Sequence, residues 1–128
     1  MYHVLNIDRV KMMSVHNSSY FSSNKMLISN TSVSATVYGN GVYFARDAIY
    51  STNTKYSPPD PSGNRYLYLA RVLVGEYAVG RQGMITPPAR GSDATDAYDS
   101  VVDKTTDPSI FVVFYDTQCY PDYLVTFK

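Results

Sequence analysis

The run Arg65-Tyr66-Leu67-Tyr68-Leu69-Ala70-Arg71-Val72-Leu73-Val74 constrains the fold of this chain more than any other stretch. Successive side chains of a strand point to opposite faces, so Tyr66, Tyr68, Ala70, Val72 and Val74 share one face and Leu67, Leu69 and Leu73 the other. Apolar groups on both faces predict a strand in the interior of a sheet. Ile110-Phe111-Val112-Val113-Phe114-Tyr115 is a second buried run, after an Asp107-Pro108 turn. Residues 123–127 form a third, entered through Pro121-Asp122.

Helix signals are few. Asp47 is placed to cap a short helix from Ala48 to about Lys55, and Ser57-Pro58-Pro59 ends it because proline bars the helical conformation to the residue before it. The expected class is therefore α+β, a β-rich domain with one or two short helices. Upstream the pattern thins: 13 of the 23 residues from 14 to 36 are Ser, Thr or Asn, which predicts loop apart from the apolar island Met26-Leu27-Ile28. Ahead of that tract, residues 2–10 alternate approximately around Val4, Ile7 and Val10 and predict one strand.

The chain has 128 residues and 45% of them are hydrophobic, the size and balance of one small domain. Its 11 Lys and Arg against 11 Asp and Glu leave no basic field for a phosphate backbone, which argues against direct nucleic-acid binding. The single cysteine, Cys119, has no internal disulfide partner and is expected to be a buried structural thiol in an intracellular chain. The longest apolar run, residues 110–115, is far short of the roughly 20 residues that span a bilayer, so no membrane anchor is expected.

Between Val37 and Asp60 lies the stretch that bears on function, VYGNGVYFARDAIYSTNTKYSPPD. Gly39-Asn40-Gly41 does not open a dinucleotide-binding helix: the chain continues Val42-Tyr43-Phe44-Ala45, a strand, and Phe44 stands where the third glycine should be. Most of the 13 tyrosines are expected to fill core with the hydroxyl at the rim. Tyr43 and Tyr56 bracket a strand-to-helix unit, however, and two rings so placed can face each other across a gap that takes a planar heteroaromatic ligand. Ser51 between them can hydrogen-bond a carboxamide on it.

These residues resemble a known family. Tyr38-Gly39-Asn40-Gly41-Val42-Tyr43-Phe44-Ala45, then Ser51, Tyr56-Ser57, Ala70-Arg71-Val72-Leu73, Phe111-Val112-Val113-Phe114 and the ending Tyr120-Pro121-Asp122-Tyr123-Leu124, are similar to the poly(ADP-ribose) polymerase catalytic domain. More narrowly they resemble its intracellular mono-ADP-ribosylating, macrodomain-associated branch. The resemblance runs from about residue 35 to 128. It implies an ADP-ribosyltransferase-like antiparallel sheet, with residues 37–128 as the C-terminal part of the catalytic domain and residues 1–36 as a partial N-terminal segment. It also implies NAD as substrate without a metal, a protein acceptor, and a cytoplasmic or nuclear location. Tyr43 and Ile110 would occupy the catalytic positions. Phe44, Ala45, Ser51 and Tyr56 would bind NAD, with Tyr43 and Tyr56 on the two faces of the nicotinamide and Ser51 on its carboxamide. Residues 56–65 would be the flexible loop bordering the donor site.

Two positions depart from the family pattern. Polymer-forming members carry a glutamate where Ile110 stands, so single ADP-ribose units are the expected product. The family's upstream aromatic-His-Gly-Thr/Ser motif has no clear counterpart. His3 is followed by the bulky Val4 and Leu5, and His16-Asn17-Ser18 lies close to Tyr38 in sequence. Residues 2–11 are accordingly read as the strand that precedes this motif in the family, with a strand-helix section lost and an interior sheet position left open by truncation. The alternatives to an active transferase are a non-catalytic interaction module and a fragment inactive on its own.

Overall fold

The computed structural model describes residues 10–15, 21–22, 25–26, 37–54 and 56–128, with side chains from residue 37 onward. Among these, the strands in chain order are β1 (Val10–Val15), β2 (Phe21–Ser22), β3 (Lys25–Met26), β4 (Val42–Ala45), β5 (Arg65–Leu73), β6 (Tyr77–Val79), β7 (Ser100–Val102), β8 (Ile110–Val113) and β9 (Cys119–Phe127). One short helix, α1 (Ala48–Ser51), follows β4. A 3₁₀ turn, Asp116–Gln118, precedes β9. No described helix is long and apolar enough to cross a membrane.

Seven strands form one sheet in the order β6-β7-β8-β4-β1-β5-β9, and β2 pairs with β3 apart from it. The sheet is antiparallel except for the parallel pair β6–β7. The strand expected over residues 65–74 is β5, interior as its two apolar faces required, since it pairs with β1 on one side and β9 on the other. A register shift between Leu69 and Ala70 lets Ala70 face Pro121, a residue with no N–H to give the ladder.

Two apolar clusters lie on opposite faces. Alternation along β4 sends Val42 and Phe44 to one, with Ala70, Val72, Val74, Val102, Phe111 and Val113. Tyr77 meets Phe111 edge-on, the ring centroids 5.8 Å apart. Ala45 enters the other cluster, with Val101, Ile110, Val112 and Phe114, and Tyr43 packs against it. All four residues of β8 are buried. Each large apolar side chain so placed contributes about 1.5–3 kcal/mol relative to leaving it exposed.

Several expectations need correction. Residues 14 and 15 belong to β1, and the polar tract that follows contains the paired β2 and β3, because backbone pairing overrides weak strand propensity. The interior position expected to stand open is filled by β1, which pairs with both β4 and β5. The strand expected over residues 2–10 lies, apart from Val10, outside the described residues. The helix stops at Ser51, and the end expected near Lys55 falls on a residue outside those described. Ser51, Thr52, Asn53 and Thr54 compete for backbone hydrogen bonds, and the Thr52 hydroxyl already donates to the Ile49 carbonyl at 2.8 Å. Asp47 caps nothing with its side chain; its carboxylate pairs with Arg46 at 3.2 Å instead. Cys119 is only partly buried, and burial, then the nearby Asp116, pushes its thiol up to about 12.

Candidate active site on the Tyr43 face

The two glycines ahead of β4 make a turn and allow a close strand approach. Gly39 has φ +135°, a conformation open to glycine, and a Cβ on Gly41 would stand 2.5 Å from the Val113 carbonyl oxygen. The Tyr43 hydroxyl closes this turn: it donates to the Gly39 carbonyl at 2.8 Å and accepts from the Tyr38 N–H at 3.0 Å. Tyr43 is thus held at both ends, its ring partly buried on the apolar cluster and its hydroxyl tied to backbone.

Strand register brings three of the expected residues onto one surface. Tyr43 faces Val112 and Ala45 faces Ile110 across the β4–β8 ladder, so Tyr43, Ala45 and Ile110 share a face. Ile110 is 7% exposed, and the side chains around it in the cluster are apolar. Its backbone N–H donates at 3.2 Å to the Asp103 carboxylate, which also holds the Ser109 N–H at 3.1 Å. Phe44 is not brought to this face. Its ring is 0% exposed in the opposite cluster.

Ser51 ends α1, and Tyr56 follows it in the chain. The Tyr56 ring stacks on Tyr50 of α1, centroids 5.1 Å apart and planes at 22°, with the two hydroxyls 3.0 Å apart. One face of Tyr56 is therefore covered by Tyr50. Ser51 is fully buried. Its hydroxyl meets a carboxamide only after the groups over it shift.

The loop expected to be flexible, residues 56–65, is cross-linked. The Ser57 hydroxyl donates to the Tyr66 carbonyl at 2.6 Å and accepts from the Tyr66 N–H at 3.2 Å. Arg65 donates to the Ser57 carbonyl at 2.8 Å and to that of Thr52. The Asp60 carboxylate takes the N–H groups of Ser62 and Asn64, each at 2.9 Å, and the Tyr66 hydroxyl at 2.8 Å. The Tyr66 bond, followed by the backbone donors, holds the Asp60 carboxyl below its usual range.

Two residues that the sequence reading passed over belong to this region. Burial, then the hydroxyl bond to Tyr56, pushes the Tyr50 hydroxyl up to about 12, and smaller contributions come from Tyr38 and Asp103. The group is thus within electrostatic reach of residues tied to Tyr43 and to Ile110. The six-residue spacing of Tyr50 from Tyr56 was the available clue to the first. Nothing in the residue pattern marks Asp103 as the partner of the Ile110 N–H.

Residues 14–128 match the poly(ADP-ribose) polymerase catalytic domain. The chain belongs to the poly(ADP-ribose) polymerase catalytic domain family. The match begins upstream of residue 35 and takes in the end of β1. Among relatives, protein mono-ADP-ribosyltransferase PARP14 of Homo sapiens is 48% identical over 95 residues, 73% of this chain and 5% of that protein. Protein mono-ADP-ribosyltransferase PARP10 of Mus musculus is 46% identical over 93 residues, 73% of this chain and 10% of that protein. The chain thus spans a tenth or less of the length of these two relatives. The crystal structure of the PARP domain of Arabidopsis RADICAL-INDUCED CELL DEATH1 superposes with a TM-score of 0.68 at 22% identity, over 93% of this chain and 67% of that one. That likeness carries the fold. The family's upstream histidine is sought in His3 and His16, both outside the described residues; His16 directly follows the last residue of β1 in sequence.

Proposed function

We propose that this chain transfers single ADP-ribose units from NAD to a protein acceptor with release of nicotinamide. The observation that carries the reading is the shared face of Tyr43, Ala45 and Ile110, in which a buried isoleucine stands where elongation would need a carboxylate. The partly buried Tyr43 ring and the aromatic Tyr50–Tyr56 pair suit a flat pyridinium ring. NAD, when bound, supplies the glycosidic bond that breaks. Tyr43, anchored through its hydroxyl, holds the ring plane against β4, and Tyr56 covers the other side. Ser51, once uncovered, orients the carboxamide. Ile110 and its apolar neighbours keep water from the reacting face while positive charge grows on the ribose. The absence of a side-chain acceptor at Ile110 leaves an incoming ADP-ribose hydroxyl without a base, so the chain of transfers stops at one. His16 is the histidine we assign to the upstream motif, because it follows the strand that pairs with β4. A cytoplasmic or nuclear site of action, without direct nucleic-acid contact, goes with this proposal.

One observation favours a second reading, an interaction module without catalysis: the full burial of Ser51. Labelled NAD decides between them. The purified chain should label itself or an added protein acceptor with single units, and His16→Ala should remove the label while His3→Ala keeps it. Complete absence of label at high protein concentration supports the module, and ladders of polymer on the same gel contradict the proposed product.

A further inference from the structure

We infer that Tyr50 is a positioning residue for Tyr56, fixing the orientation in which Tyr56 presents its remaining face to a flat ligand ring. The inference rests on the reading of Tyr56 as a ligand-stacking residue. Ring contact alone, at 5.1 Å and 22°, sets the plane of Tyr56 but lets the ring slide and turn within it. The 3.0 Å approach of the two hydroxyls adds a second point of attachment, and two points fix both plane and in-plane rotation.

The backbone beneath this pair is already held. The N–H of Tyr56 donates to the Asn53 carbonyl at 2.9 Å, and the next residue, Ser57, is tied to Tyr66 on β5. The ring and hydroxyl of Tyr50 act on the side-chain torsions of Tyr56. Tyr50 is anchored in turn by α1, where its N–H donates to the Asp47 carbonyl at 3.2 Å and the Thr52 N–H to that of Ala48 at 3.0 Å.

Core filling does not account for Tyr50. The residue is 45% exposed, on a helix turn whose neighbour Ile49 is 82% exposed. Among the described side chains, the ring that stacks on it is that of Tyr56. Removing it should therefore alter ligand binding more than folding.

The test compares wild type with Tyr50→Phe, Tyr50→Leu and Tyr56→Ala. Nicotinamide and NAD affinities are measured by calorimetry, melting temperatures alongside, and KM for NAD and kcat by transfer of labelled ADP-ribose. Tyr50→Leu, which loses stack and hydroxyl, should weaken both ligands roughly two- to twelve-fold, the range of an aromatic pair. Tyr50→Phe, which keeps the stack, should weaken them less. KM should rise with kcat held, and melting should stay within about 3 °C of wild type. Should Tyr50→Leu melt early, Tyr50→Phe decides, and wild-type affinity in it overturns the inference. If Tyr56→Ala weakens binding while the Tyr50 variants bind as wild type or more tightly, the inference fails and the reading of Tyr56 stands. Wild-type affinity in Tyr56→Ala, or a wild-type chain that binds neither ligand, overturns both.

Discussion

On one side of β4, Val42 and Phe44 enter a cluster that is almost wholly apolar; on the other, Tyr43 and Ala45 meet Ile110 beside hydroxyls, a carboxylate and a turn. A single strand of four residues thus supplies a sealed face and the face proposed to meet a ligand, called the working face below. Their difference lies in what each residue's far end needs. Phe44 ends in carbon and is satisfied by close packing. Tyr43 ends in an oxygen, which has to reach backbone at the rim and therefore keeps its ring near the surface, where a ligand can meet it. The two-residue period of the strand separates the sealed face from the one proposed to meet NAD.

The contrast is broken most directly at Phe44. Phe44→Ala removes a fully buried ring from a cluster that includes residues of β5 and β8 and should cost about 3–5 kcal/mol. Chemical denaturation measures it, and a loss below about 1 kcal/mol would mean that the face is not sealed. Next in size is Cys119, which packs against the rim of the same cluster. Its thiol is raised from 9.0 to about 12, so the protonated form is the one the fold favours. The associated stability is present below about pH 9 and is lost as pH climbs towards about 12. Alkylation at pH 8 should be tens to hundreds of times slower in the native chain than in denaturant, because the native thiol is partly covered and holds its proton. Equal rates in the two states would remove Cys119 from the sealed side.

The smallest effect belongs to the working face. Tyr43→Phe keeps the ring and deletes the hydroxyl that joins Tyr38 to Gly39, a loss of about 1–2 kcal/mol. Nicotinamide affinity should fall little, since the ring remains. A melt as damaged as that of Phe44→Ala would show that the turn, and not the ring cluster, holds β4 in place, and the comparison between the faces would invert.

Local chemistry was enough to foresee β4, β5, β8 and the end of β9, because apolar and branched residues at two-residue spacing leave a buried strand few alternatives; β9 itself begins at Cys119 and runs through Pro121 and Asp122, which the sequence pattern reads as a turn. The place of Tyr43 and Ile110 on strands that could meet was readable for the same reason. The helix after Asp47 was also foreseen, but its length was not: four Ser, Thr and Asn residues in succession stopped it at Ser51 before the prolines could. Which ring lies against Tyr56, which carboxylate holds the Ile110 N–H, and which strand stands between β4 and β5 depend on contacts between residues far apart in sequence or across a turn. No periodicity records such contacts. They arise when the β4–β8 register and the anchoring of residues 56–65 to β5 bring separate segments together, and a shift of one residue in either would turn every side chain concerned to the other face.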